Sequence, residues 1–202
     1  SVPSTSLSAK RVFSLAFFLL TGSTLLVKAC EPGISTVDAL YLSVMTFTTI
    51  GYGDVTHPVS PAGRAVVALL ALGGIAFFAT VIDLCHAFRE ATDGALLRGL
   101  GLGGAPAALT LLAANAAIGV IVCEVLVDDE SLPKGSILDA IYWSIITSTS
   151  VGFGDFHPTS DIGKLAVSAY ALFSMQVTAN AMELAKEVLI RLCTVSDSGH
   201  AK

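Results

Sequence analysis

The chain has 202 residues, of which 53% are hydrophobic and only 13% charged, about half the charged fraction of a soluble globular domain. The net charge is -5, and no run of lysine and arginine is long enough to follow a phosphate backbone, which sets nucleic acid aside as a partner. This is the composition of a membrane protein.

The chain opens on Ser1 rather than methionine and has short polar ends, as expected of a piece trimmed from something longer. Its first apolar run, Arg11 to Ala29, has the basic start of a signal peptide. Lys28 spoils the small-residue cleavage pattern, so the run reads as a mature helix. Cys30 follows it near a membrane face and is a candidate for a bridge between subunits, whereas Cys85, Cys123 and Cys193 read as buried small hydrophobes. None of the cysteines has the spacing of a zinc or redox site.

Ser35-x-x-Asp38 then marks a helix start, and the helix it opens, Thr36 to Thr48, has about 13 residues, ~20 Å at 1.5 Å per residue. That is too short to cross a bilayer, which takes roughly 20 residues. It leads into TTIGYGDVTHP, Thr48 to Pro58, and a second long apolar run, Ala62 to Arg89. GLGLGG, Gly99 to Gly104, fits a dinucleotide fingerprint in letters only. No strand precedes it and the charged stretch Arg89 to Arg98 does, so it reads as a linker.

After the linker the pattern repeats. Ala105 to Val127 is apolar, Ser136-x-x-Asp139 opens the short helix Ile137 to Thr149, TSVGFGDFHP follows, and Ile162 to Arg191 is apolar again. DALYLSVMTFTTIGYGD aligns without a gap on DAIYWSIITSTSVGFGD. After one deletion His57-Pro58 meets His157-Pro158, Gly63-Arg64 meets Gly163-Lys164, and Asp83-Leu84 meets Glu183-Leu184. The chain is a duplication: unit one over residues 1-98, a linker at 99-104, unit two over 105-202.

Four long runs predict four transmembrane helices, and the two short helices predict re-entrant segments. Non-helical backbone at membrane depth is tolerated only where protein buries it or it lines a wet path, so the glycine loops face one another or a channel. More basic residues lie on the side of the termini (Lys10, Arg11, Arg89, Arg98, Lys186, Arg191, Lys202) than near the loops (Lys28, Arg64, Lys134, Lys164), which places the termini in the cytoplasm. Glu31, Asp54, Asp128, Asp129, Glu130, Asp155 and Asp161 gather on the opposite face, where they would collect cations.

A dehydrated monovalent cation needs oxygens in place of its water shell, and a ladder of peptide carbonyls supplies them where glycine permits the backbone. Thr49-Ile50-Gly51-Tyr52-Gly53 and Ser150-Val151-Gly152-Phe153-Gly154 are two such ladders, with the Thr49 and Ser150 hydroxyls as added ligands at their starts.

TIGYGD and SVGFGD, each between a short helix and a long one, resemble potassium-channel selectivity filters, and two per chain resembles the two-pore-domain potassium channel family. The resemblance covers Arg11 to Arg191. About eight residues separate the first span from its short helix, so the large cap of animal members does not fit, and plant-type, capless members are closer. The resemblance implies an all-α membrane protein whose four filter strands come from two chains, a homodimer with C2 and pseudo-fourfold symmetry, holding K+ and no organic cofactor. It further implies braces behind the filter, Tyr41 to Asp54 and Tyr142 to Asp155, with Trp143 beside one and only Leu42 beside the other.

Further residues are candidate regulators. His57 and His157 stand just past the filters, as proton sensors or as ordinary turn residues. Asp83 and Glu183 near the inner helix ends form a candidate carboxylate ring open to Mg2+ or polyamine block, or are solvated acids. Gly73-Gly74 is a hinge or a packing site, and Phe173-Ser174 replaces it in unit two. Asn115, Glu124, Gln176 and Asn180 are intramembrane polar groups facing protein.

No arginine series of a voltage sensor, no EF-hand loop and no nucleophile-base pair is present in the sequence. The reading is a passive potassium leak channel, not an enzyme, in the plasma membrane or an endomembrane. Its rivals are a weakly selective cation channel and a non-conducting membrane protein that keeps the pore fold only to dimerise.

Overall fold

The computed structural model describes residues 9-55, 58, 60-74 and 105-199. Among these every regular element is a helix. In chain order they are α1 (Ala9–Cys30), α2 (Thr36–Phe47), α3 (Pro61–Gly74), α4 (Ala105–Ile121, continued by a π-helical turn over Val122–Leu126), α5 (Ile137–Ser148) and α6 (Asp161–Gly199). The linker at 99-104, Asp83, Cys85 and His57 lie outside the described residues.

The two short helices start where the capping pattern puts them. The Ser35 hydroxyl accepts from the Asp38 amide at 3.0 Å, and Ser136 from Asp139 at 3.3 Å. Both helices are 12 residues long, and each ends one residue before the expected limit, with Thr48 and Thr149 as C-caps. Their threonine hydroxyls bond back to Val44 and Ile145 carbonyls at 2.8 and 2.7 Å, closing the last turn.

Among the described residues one helix is long and apolar enough to cross a membrane by itself: Ala105–Leu126, with mean hydropathy 2.1. α6 is longer, 39 residues, but its apolar part is interrupted by Gln176, Thr178 and Asn180. Some of these polar groups meet protein: Asn115 on α4, 2% exposed, donates to the Thr178 hydroxyl at 3.4 Å. Glu124 was expected inside the membrane layer with them. It lies in the π turn that ends this helix, where its carboxylate accepts the Gly135 amide at 3.0 and 3.1 Å and ties α4 to the loop before α5.

α2 packs against α1 and α6, and α5 packs against α4 and α6. The core lies where these meet, built from Tyr41, Val44, Met45, Ile50 and Tyr52 of unit one with Val122, Cys123, Val127, Trp143, Val167 and Tyr170 of unit two. Trp143 and Tyr170 stack with ring centroids 5.2 Å apart. The hydrophobic centre is therefore shared between the two copies rather than owned by each.

Candidate ion-conduction site

The two glycine-rich segments leave α2 and α5 at equivalent points and lie side by side. A Cβ added to Gly152 would stand 2.2 Å from the Ile50 carbonyl oxygen, and one on Gly154 2.3 Å from that of Tyr52. The Ser150 hydroxyl donates to the Thr48 carbonyl at 3.0 Å, closing the contact at the other end. A serine donating its proton sideways still has lone pairs for a cation.

In each segment every second residue has a left-handed backbone. φ is 56, 57 and 75° at Thr49, Gly51 and Gly53, and 58, 49 and 75° at Ser150, Gly152 and Gly154. Glycine takes this conformation freely, but a β-branched threonine does so only where the surroundings hold it, at a cost of about 1–3 kcal/mol. Alternating hand turns successive peptide groups the same way, so amides collect on one edge and carbonyls on the other. The amides point back to the helices. Thr49 and Gly51 donate to Thr46 and Met45 carbonyls at 3.2 and 3.3 Å, and Ser150, Val151 and Gly152 to Thr147 and Ile146 at 3.0–3.2 Å. The helix carbonyls left over at each C-terminus are thereby satisfied, and the strand carbonyls stay available.

Side chains alternate likewise in unit one. Ile50 and Tyr52 are buried, 3% and 8% exposed, while Thr49, Gly51 and Gly53 are open. Tyr52 reaches across to unit two, where its hydroxyl bonds to that of Thr147, and the Trp143 indole nitrogen lies toward the same oxygen at longer range. Nothing in the letters of the motif pairs Tyr52 with Thr147; the two are far apart in sequence and meet only because the copies pack.

Tyr41 donates to Asp54 at 2.9 Å, bracing the first segment from behind. Asp155 acts on the Tyr142 hydroxyl in the second copy, without the short contact measured in the first. Trp143 is 1% exposed and stacks on Tyr170 of α6. His157 is half-buried with Nδ1 2.9 Å from the Gly154 carbonyl oxygen, which assigns the Nδ1 proton to that bond.

At the start of the two segments opens a cavity of about 470 Å³, lined by Thr49, Ser148, Thr149, Ser150 and, further along α6, Met175, Thr178, Met182 and Glu183. The C-terminal ends of α2 and α5 meet it, presenting the negative ends of their dipoles. Glu183 at the far end is bonded to Lys186 at 2.9 Å, so its charge is shared rather than free. Gly74 lies against Phe47, where a Cβ would stand 2.9 Å from the Phe47 Cα, which gives that glycine a close-packing reason. Cys30 is a free thiol, half-buried.

Two anchors were not singled out from the sequence. Asp129, 3% exposed, accepts from the Thr159 and Ser160 amides at 2.8 and 2.7 Å, the Thr159 hydroxyl at 2.9 Å and the Ser131 amide at 3.1 Å. Burial works against its ionisation, but these donors outweigh it and hold the carboxyl well below the ordinary range. In unit one the Glu31 carboxylate accepts the Ser60 amide at 2.8 Å. Ser60 and Ser160 in turn accept from Gly63 and Gly163 at 2.8 and 3.0 Å, capping α3 and α6. The duplicated Ser-x-x-Gly was the available signal. Lys164, read from the sequence only as a basic residue near the loops, pairs with Asp38 at 2.6 Å and joins the start of α6 to the start of α2.

A family model described as "Ion channel" matches residues 8–89 and again 107–191. The chain belongs to the ion channel family. It carries two copies of the family's unit, and membership makes it an integral membrane protein. Among curated relatives of this channel, "Two pore potassium channel b" of Oryza sativa subsp. japonica is 28% identical over 158 residues, 71% of this chain and 43% of that protein. "Two pore potassium channel a" of the same organism is 35% identical over 63 residues, 31% of this chain and 18% of that protein. "Potassium channel AKT2/3" of Arabidopsis thaliana is 48% identical over 40 residues, 20% of this chain and 5% of that protein. The chain thus spans less than half the length of each of these relatives.

Proposed function

We propose that this channel is potassium-selective and that two chains build its pore, each contributing two filter strands, Thr49 to Gly53 and Ser150 to Gly154. The observation that carries the reading is the alternating left-handed backbone of two neighbouring strands whose amides face the helices behind them. Carbonyls on the free edge, with the Thr49 and Ser150 hydroxyls below, replace the hydration of K+. The relatives named as potassium channels support the choice of ion.

In this reading residues 1-98 and 105-202 are the two pore units and 99-104 joins them. The long helices span the bilayer, α2 and α5 re-enter it, and the termini are cytoplasmic. The cavity below the strands holds a hydrated cation against the ends of α2 and α5. Current follows the electrochemical gradient, and the two pore units conduct without a voltage-sensing helix of their own. Mg2+ or polyamine block at the Glu183 end is weakened by Lys186.

Purified chain in liposomes tests this. Potassium flux with a reversal potential near the K+ equilibrium value is the expected result; flux of Na+ at a comparable rate, or none, overturns it. One observation favours a weakly selective pore as the second reading: Phe153 lacks the hydroxyl by which Tyr52 is held to Thr147. Comparable permeation of K+ and Na+ would establish that alternative.

A further inference from the structure

Beyond the paired Tyr41 and Tyr142, each unit has one further tyrosine, and the two do not occupy equivalent positions. Unit one has Tyr52 in its filter strand, where unit two has Phe153. Unit two has Tyr170 in the long helix that follows, where unit one has Leu70. The Tyr52 hydroxyl holds strand one to Thr147. Phe153 has no hydroxyl and is 67% exposed, so among the described residues strand two has no tie of that kind.

Tyr170 is buried, and its hydroxyl stands where three helices meet. It bonds to the Ser144 hydroxyl on α5 and donates to the Asn115 carbonyl on α4 at 3.4 Å. A phenol has one proton; with that proton on the carbonyl, Ser144 donates to the phenol oxygen. Ser43, the counterpart of Ser144, has no such tyrosine to meet and turns its hydroxyl back to the Ala39 carbonyl at 2.8 Å. Gly119 makes room for the junction: a Cβ there would stand 2.5 Å from the Ser144 Oγ and 2.7 Å from the Tyr170 hydroxyl oxygen. Asn115 extends it, donating from its side chain to Thr178 at 3.4 Å, beside the cavity. Buried polar groups in an apolar layer have no water to turn to when a partner moves away, so these bonds hold the three helices in register.

α5 is the helix that carries strand two. Its Ile146 and Thr147 carbonyls accept the amides of Ser150, Val151 and Gly152 at 3.0–3.2 Å, so a displacement of α5 displaces the carbonyls on the strand's free edge. Ser144 lies within one helical turn of both. The Tyr170 ring also stacks on Trp143, the chain's single tryptophan, with centroids 5.2 Å apart and planes at 22°. Resting on the reading of these strands as a potassium filter, we propose that Tyr170 is a positioning residue for ion selection: its hydroxyl locks α5 to α4 and α6, and so holds strand two as the Tyr52 hydroxyl holds strand one. It touches no ion itself. Leu70, with no polar atom in its side chain, gives α3 no such hold on α2.

Reversal potentials in liposomes test this. Tyr170→Phe keeps the ring stack and removes the hydroxyl; the K+ over Na+ permeability ratio is expected to fall about fivefold, the factor that one net buried hydrogen bond supplies. Ser144→Ala is expected to do the same. The double variant should fall within about twofold of either single one, because the same bond is lost in all three. Val167→Ala, at a fully buried site of α6 outside this junction, is the control: it is expected to lower the melting temperature and leave the ratio where it was.

An unchanged ratio in Tyr170→Phe overturns the positioning role, and so does an equal loss in Val167→Ala, which would mark a general loosening of the core. Losses that multiply in the double variant overturn the Tyr170-Ser144 bond as the cause. Trp143 fluorescence separates this from the functional reading, since it reports on α5 whatever ion is carried. If the parent chain passes Na+ as fast as K+ while Tyr170→Phe and Ser144→Ala shift that emission alike, the potassium reading falls and the hold on α5 stands; if the emission does not move either, both fall.

Discussion

Removing the hydroxyl of Tyr52 isolates the bond by which one copy holds the other's filter strand. Tyr52 is 8% exposed and Thr147 fully buried, so neither hydroxyl finds water when the other is lost. A neutral buried hydrogen bond contributes about 1 kcal/mol net, and a buried hydroxyl stranded without a partner costs about 1–3 kcal/mol. Thr147 has a way to avoid stranding. Its counterpart Thr46 donates to the carbonyl four residues back at 2.7 Å, and Thr147 can turn to Trp143 in the same manner. The expected loss for Tyr52→Phe is therefore at the low end, about 1 kcal/mol, or a fall of about 2–4 °C in melting temperature for a chain of this size. Thermal unfolding in detergent measures it, and Thr147→Val completes a double-mutant cycle with an expected coupling of about 0.5–1.5 kcal/mol. The same variant gives both strands a phenylalanine, so the K+ over Na+ reversal potential is expected to move toward zero. Additivity of the two single variants to within about 0.3 kcal/mol, with selectivity unchanged, would refute the assignment of this bond to filter support.

Gly152→Ala is expected to abolish flux, because φ is 49° there and the new methyl would meet the Ile50 carbonyl at 2.2 Å; conduction at the parent rate would contradict the strand placement. Tyr41→Phe leaves the Asp54 carboxylate without its phenol donor, a hydrogen bond to a charged group worth about 1.5–3 kcal/mol, and is expected to shorten the conducting lifetime in single-channel records. Asp129 has its pKa depressed in the folded state, so its contribution is complete above the unfolded value of about 3.9 and disappears as pH falls below it. Melting temperature should accordingly be insensitive to this group between about pH 5 and 8 and drop below about pH 4, and Asp129→Asn should flatten that acid limb; an unaltered limb would assign acid unfolding to other groups.

Much of the architecture was legible in the letters. The duplication gave two units, the Ser-x-x-Asp caps placed α2 and α5 to within a residue, and glycine at alternate positions identified where the backbone changes hand. These are local properties: a cap bonds three residues away, and φ is a property of one residue. Length against the bilayer also separated the long apolar runs from the short helices.

Which residues support the glycine loops could be read only where the partners sit close along the chain. Tyr41 and Asp54 fall within one unit, and their bond forms. Tyr52 with Thr147, and Asp38 with Lys164, cross from one copy to the other, and no spacing in the sequence sets those distances. Asp129 looked like one more acid on a cation-collecting face; only packing buries it and turns four donors toward it. Glu124 reads as a polar group facing protein, and only the π turn shows that its partner is the Gly135 amide.

The sequence by itself determined that there are two copies of one channel unit and where each backbone can adopt alternating hand, since composition, caps and glycine act over a few residues. Tertiary structure alone decided how unequally the two copies are covered. Unit one's filter side chains are buried on unit two while Val151 and Phe153 remain open, because burial depends on which surface arrives opposite a residue, and two nearly identical stretches of chain can meet different neighbours.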